Sequence, residues 1–201
     1  SHLPDIFERL GQTRAPIIHY KICSTFDSAP HVGSIGKAAE IGHRYFQNVI
    51  PMLIGDLRMG RYQCFGHLFA MANNMPYRID RHPVMSRHPV TPMDESDVIR
   101  HLKKQTNLKI DLINYQSLHN GFAEQQFIEL SAQGADIISF DMIDSISLFQ
   151  IGRVLGSLTQ SQLFCIGSQG LESALVAYWQ DLGTIQNNHS IVLPDPCDQI
   201  L

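Results

Sequence analysis

Short apolar runs alternate with longer segments of helical period along most of this chain, and that alternation leaves few folds open to it. Residues 15–23, 52–55, 61–65, 108–113, 135–140 and 162–166 read as strands, being short, apolar and rich in β-branched or aromatic side chains. Residues 35–46, 93–106, 122–133, 143–158 and 171–182 read as helices between them. Strand–helix–strand order of this kind builds an α/β fold, a largely parallel sheet with helices on both faces. In such sheets ligands sit beyond the carboxyl ends of the strands, so polar residues just after a strand are the ones to weigh.

The helix expected at 93–106 carries the fullest set of end signals. Thr91 is placed to cap it, Pro92 to take its first position and Asp94 to complete a capping box. Asp94, Glu95 and Asp97 load its start, and Arg100, His101, Lys103 and Lys104 its end, which complements the macrodipole. These charges read as structural.

Composition narrows the function classes. A chain of 201 residues can bury one substantial core, and its net charge of −4 supplies no basic field for nucleic acid. No apolar run approaches the roughly 18 residues of a membrane-spanning helix, and residues 1–5 lack the pattern of a secretory signal. A soluble, cytoplasmic protein is the expectation. Cys23, Cys64, Cys165 and Cys197 form no Cys-x-x-Cys pair, and three lie in apolar strand-like segments, so buried, reduced thiols are expected. Neither their spacing nor that of the ten histidines suggests a metal site.

Three post-strand segments carry candidate chemistry. The first is Lys21-Ile22-Cys23-Ser24-Thr25-Phe26-Asp27-Ser28. An ammonium inside an apolar strand needs an acidic partner, a ligand or an exit to solvent, so Lys21 is notable. Ser24, Thr25 and Asp27 then place hydroxyls and a carboxylate at the strand end; Asp27 suits either a substrate hydroxyl or a local turn and cap. The second runs from Arg81 to Met93 and repeats Arg-His-Pro-Val at 81–84 and 87–90. Its three prolines stiffen a loop bearing Arg81, Ser86, Arg87 and His88, and guanidinium forks match carboxylate or phosphate oxygens. The third, Gly167-Ser168-Gln169-Gly170, opens a helix and offers backbone N–H groups to an anion, although it matches neither a Walker A loop nor a dinucleotide fingerprint. Arg61 and His67 are further pocket candidates, and Asp141 and Asp144 suit either hydroxyl binding or capping. These features reach as far as an α/β domain that handles a carboxylate or phosphate.

Taken in order, Tyr20–Ser28, Gly60-Arg61-Tyr62 with Phe65-Gly66, Arg81-His82-Pro83 with Met85–Met93, and Gly167-Ser168 with Gly170 and Glu172 add more. The chain resembles the sugar-binding part of the four-carbon acid sugar kinase family over nearly its whole length. The Ser-Thr-Phe-Asp-Ser and His-Pro-Val-Thr-Pro-Met blocks point to the 3-oxo-tetronate kinase branch. The resemblance implies ATP- and Mg²⁺-dependent phosphorylation of the terminal hydroxyl of a four-carbon sugar acid. It casts Lys21 and Arg87, with Arg81 or His88, as carboxylate ligands, and Ser24, Thr25, Asp27 and Ser86 as readers of hydroxyl or keto oxygens. Gly167 and Ser168 complete the expected site, and Asp27 is its candidate catalytic group.

Against the family pattern, the Asp-Asp-Phe-Thr-Gly opening strand and the glycine-rich C-terminal nucleotide-binding domain lie outside these 201 residues. The expectation is an acid-sugar-binding domain at 1–193, incomplete at its start, with 194–201 beginning a linker toward a nucleotide-binding partner domain. An exposed sheet edge would then favour a homodimer.

Overall fold

The computed structural model describes residues 2–159 and 161–185. In chain order the elements are α1 (Leu3–Gly11), β1 (Ile17–Lys21), α2 (Ile35–Phe46), β2 (Ile50–Leu53), β3 (Arg61–Cys64), β4 (His67–Ala72) and β5 (Met75–Arg78). They continue with α3 (Val98–Lys103), β6 (Ile110–Ile113), α4 (Tyr115–His119), α5 (Ala123–Ala132), β7 (Ile137–Phe140), α6 (Ser145–Ser157), β8 (Leu163–Gly167) and α7 (Gln169–Asp181). Five strands form a sheet in the order β1-β8-β2-β7-β6, every pair parallel. The α/β expectation holds.

Alternation of side chains across the strands divides the core in two. Ile18, Met52, Phe164 and Ile166 face a cluster with Phe7 of α1, Ile35 and Ala39 of α2, and Leu102 of α3. Leu53, Ile138, Phe140 and Cys165 face the opposite cluster, with Leu118, Phe127, Ile151 and Leu175 of α4 to α7. The helix that follows β1 therefore covers one face and the helix that follows its neighbour β8 covers the other. That reversal opens a crevice at the carboxyl ends of these strands.

Residues 61–65 do not join this sheet, contrary to expectation. Arg61–Cys64 pairs with β4 in a separate antiparallel sheet, β3-β4-β5. Its turns fall at Phe65-Gly66 and Asn73-Asn74, all four residues with positive φ as tight hairpins demand. Gln63 pairs with Met142 just beyond β7, which seats the small sheet over the carboxyl end of the large one.

The helix expected at 93–106 is also shorter than its signals suggest. It begins at Val98, where Asp97 accepts from the N–H groups of Ile99 and Arg100 at 3.0 Å each. The preceding residues are drawn into other pairings: Met93 N donates to Met85 O, Leu68 N to Ser96 O, and Val98 N to Gly66 O. Long-range backbone bonds outweigh the local capping preference here. Asp94 still pairs with Lys104 at 2.9 Å and Glu95 with Arg100 at 3.5 Å.

Among the described residues no helix is long and apolar enough to cross a membrane. The expected linker at 194–201, and Cys197 within it, lie outside the described residues. Cys165 is buried and Cys64 partly so, but Cys23 is exposed because β1 has ended at Lys21.

Candidate functional site

The first two candidate segments meet. Thr25 Oγ1 lies within hydrogen-bond distance of Asp27 Oδ1, and Thr91 Oγ1 is 3.2 Å from Asp27 Oδ2. Asp27 is half-buried, and no cation lies within ion-pair distance of it among the described residues. Two hydroxyl donors leave carboxylate lone pairs available to a ligand hydroxyl. Among the described residues Asp27 is thus neither a helix cap nor an ion-pair partner.

Backbone geometry holds this arrangement. Phe26 adopts φ 58° and is fully buried. A left-handed conformation is costly for a side chain of that size, so burial of the ring must enforce the turn that presents Asp27. The Arg-His-Pro repeat has its own explanation. His82 Nδ1 accepts from the N–H groups of Val84 and Met85 at 3.2 Å, and His88 Nδ1 from Thr91 N at 3.1 Å. Each histidine folds the segment that follows it. An N–H donor at Nδ1 requires a lone pair there, which puts the His88 ring proton on Nε2 and leaves that atom a donor without a partner among the described residues.

The cations are less organised. Lys21 has left the apolar layer, is exposed, and donates from Nζ to Ile22 O at 2.8 Å. Arg81 and Arg87 are exposed and their guanidinium groups have no hydrogen-bond or ion-pair partner among the described residues. No hydrogen bond or ion pair joins Lys21, Arg81 or Arg87 to Asp27. Ser24 is buried beside Thr25, and Ser86 Oγ donates to His82 O at 2.7 Å.

The third segment serves the fold. Ser168 is fully buried; its hydroxyl donates to Gly55 O at 3.0 Å and accepts from Gly170 N at 3.1 Å, while Leu171 N bonds Ser168 O. The carbonyl of Gly167 accepts from Ile22 N at 2.8 Å and lies 3.0 Å from His19 Nε2. Gly170 is required by close approach, since a Cβ there would stand 1.9 Å from Gly55 O. Of the N–H groups this turn could offer to an anion, that of Ser168 is taken by Leu53 O and those of Gly170 and Leu171 by Ser168. This turn therefore does not fit a nucleotide phosphate, and among the described residues no group of three or more His, Cys, Asp or Glu side chains could hold a metal ion.

Sequence reasoning missed a neighbouring cleft of about 370 Å³ lined by Asp56, Arg58, Gln169, Glu172 and Ser173. Asp56 is almost wholly buried there and accepts from Arg58 N at 3.1 Å through one oxygen. The available signal was position: Asp56 follows β2 and Gln169 follows β8, both strand ends of the central crevice. The other candidates have structural employment. Asp141 is fully buried and accepts from the N–H groups of Phe65, Gly66 and Tyr115, Asp144 caps α6, Arg61 Nη1 bonds Met59 O at 2.6 Å, and His67 Nδ1 lies 2.9 Å from Ser96 Oγ.

A parallel α/β sheet with polar loops gathered at its carboxyl edge is the frame of a small-molecule-binding domain. The chain belongs to the family of sugar-binding N-terminal domains, whose model matches residues 1–175. It is 42% identical over 199 residues to the 3-oxo-isoapionate kinase of Paraburkholderia graminis, covering 98% of this chain and 42% of that one. It is 27% identical over 180 residues to the 3-oxo-tetronate kinase of Pseudomonas savastanoi pv. phaseolicola, covering 85% and 38%. The chain thus spans less than half the length of these relatives. The fold is shared with a DUF1537 protein of Haemophilus influenzae, with a TM-score of 0.76, 23% identity, and coverage of 90% of this chain and 42% of that one. It is shared also with a DUF1537 protein of Bordetella bronchiseptica described as a citrate-bound, domain-swapped dimer, at 0.67, 18%, 88% and 40%.

Proposed function

We propose that this domain binds a 3-oxo sugar acid of the tetronate class and serves as the acceptor half of a kinase that phosphorylates its terminal hydroxyl. The observation that supports this most is the junction of Asp27, Thr91 and His88: a carboxylate held by hydroxyls alone, next to an imidazole with a free donor. Asp27 orients the acceptor hydroxyl and takes its proton. Lys21 and Arg87 neutralise the substrate carboxylate, with Arg81 adding charge or His88 donating a hydrogen bond from Nε2, and Ser24, Thr25 and Ser86 contact the remaining oxygens. Phosphoryl transfer depends mostly on alignment and charge stabilisation, so a domain that only positions the acceptor contributes a large share of it.

The identity with a 3-oxo-isoapionate kinase supports 3-oxo-isoapionate as a substrate alongside 3-oxo-tetronate. ATP and Mg²⁺ belong to the kinase relatives as a family, and in our reading a C-terminal nucleotide-binding domain of a longer parent supplies them. The self-filled Ser168 turn favours that division of labour, and also the alternative of a carboxylate-binding module without turnover. The citrate-bound neighbour supports a carboxylate ligand and a homodimer.

Calorimetry with threonate and 3-oxo-tetronate tests the site. Asp27→Ala and Arg87→Ala should each weaken binding by about tenfold or more; unchanged affinity in both removes them from it. Phosphorylation from ATP by the longer parent and not by this chain alone would separate the two readings of turnover.

A further inference from the structure

One buried histidine outside the proposed ligand contacts touches both neighbours of Asp27. The ring of His101 in α3 lies 5.5 Å from that of Phe26, centroid to centroid. Its Nε2 is 3.0 Å from Ser28 Oγ. Gln105, one turn along, locks the contact from behind. Its Oε1 accepts from Gly36 N at 3.3 Å and from Ser34 Oγ at 3.2 Å, so the bond from a backbone N–H fixes the amide orientation. The amide nitrogen then faces Ser28 Oγ at 2.8 Å and His101 Nε2 at 3.2 Å. Ser28 Oγ is equally 3.0 Å from Phe26 O and from His101 Nε2, and with its proton turned to the ring it donates to Nε2.

We propose that His101 is a positioning residue, which fixes the direction of Asp27 by clasping Phe26 on one side and Ser28 on the other. The inference rests on the reading that Asp27 meets the sugar acid. Phe26 needs such a clasp because its left-handed backbone is unfavourable unless its surroundings hold it. The clasp works with the neutral ring: Nε2 accepts from Ser28 and Gln105, and among the described residues the buried Nδ1 has no partner. A second ring proton would oppose the Gln105 N–H and leave a buried charge. Burial lowers the His101 pKa, Lys104 adds to the lowering, and Asp94 and Glu95 oppose it. The histidine therefore remains neutral below the pH at which an exposed one charges.

Amide hydrogen exchange on the full chain, which needs no ligand, tests the clasp. His101→Phe retains a ring against Phe26 and removes both nitrogens; His101→Gln supplies a non-titrating amide in place of Nε2. In His101→Phe, exchange at residues 26–28 should rise about fivefold or more at neutral pH while β7 amides stay unchanged, and the dissociation constant for threonate should rise by a similar factor. His101→Gln, which keeps a polar partner for Ser28 but loses the ring against Phe26, should loosen residues 26–28 less than His101→Phe at neutral pH. On acidification the native segment should loosen relative to His101→Gln at the same pH, which cancels the intrinsic pH dependence of exchange. The proposal is overturned if residues 26–28 exchange at the native rate in His101→Phe, if β7 loosens equally, or if the ratio of native to His101→Gln rates ignores pH. Should His101→Phe not fold, that last comparison decides alone. A native protein that binds no threonate yet gives the expected exchange pattern refutes the ligand role of Asp27 and supports the clasp.

Discussion

Thr91 Oγ1 lies 3.2 Å from Asp27 Oδ2, so a hydroxyl and a carboxylate 64 positions apart tie the loop after β1 to the loop before α3. The N–H of the same Thr91 donates to His88 Nδ1 at 3.1 Å. One residue thereby links the carboxylate and the imidazole of the proposed site.

Replacing Thr91 by Val preserves shape and the N–H bond to His88 but removes one of the two donors to Asp27. Hydrogen bonds to charged groups are among the stronger ones, so affinity for threonate should fall about tenfold in calorimetry. The melting temperature should move little. A several-degree drop in melting temperature with unchanged affinity would make the junction a structural tie alone.

Asp141 supports the site from below. One of its oxygens accepts from Phe65 N at 2.6 Å and Tyr115 N at 3.0 Å, and the other from Gly66 N at 2.9 Å. It thus pins the β3–β4 turn to the ends of β6 and β7. In Asp141→Asn the new amide faces a backbone donor whichever way it is turned. We expect a loss of about 2–4 kcal/mol of stability in denaturant unfolding. A loss within measurement error would mean that the small sheet is held by Gln63–Met142 pairing without it.

Much of this frame was legible in the chain because apolar periodicity reports burial directly. Residues 162–166, 135–140 and 108–113 became β8, β7 and β6 with ends shifted by only a few positions. Residues 61–65 went astray because a strand's pattern does not say which sheet it joins. The Thr91-Pro92 capping signal failed because Met93, Ser96 and Val98 find long-range backbone partners that no local rule foresees. Asp27 stood out by its place after a strand, whereas its partner Thr91 looked like a helix cap. The Asp27–Thr91 bond depends on two loops meeting in space, and spacing within either loop carries no trace of it.

Thiol reactivity offers an independent view of the same loop. Cys23 is exposed two positions from Thr25, whose Oγ1 lies 2.9 Å from Cys23 Sγ. Burial pushes the Cys165 thiol up to about 12, so it is both inaccessible and protonated. Limited treatment with N-ethylmaleimide, read by peptide mass spectrometry, should modify Cys23 and spare Cys165 until the protein unfolds. Saturating threonate should slow the Cys23 reaction. Labelling of Cys165 at the rate of Cys23 would contradict the packing of β8 between β1 and β2.

Acid should destabilise the domain through carboxylates whose native partners favour the charged form. At Asp144 burial works against ionisation, but the N–H and hydroxyl of Ser147 and the His119 ring outweigh it and hold the pKa below the ordinary value. Hydrogen bonding from Arg78 lowers Asp80 in the same way, and Lys104 lowers Asp94. In each case the unfolded chain binds the proton more readily. The stabilisation is therefore complete above the ordinary carboxyl range, roughly pH 4, and disappears as pH falls through the lowered native values. A plot of melting temperature against pH should lose height below about pH 4 from this cause. Asp144→Asn should lower the melting temperature at pH 7 and converge on the native curve in acid, because the native carboxyl is by then protonated too. An equal deficit at both ends of the pH range would show that Asp144 caps α6 as a neutral group does, with no contribution from its charge.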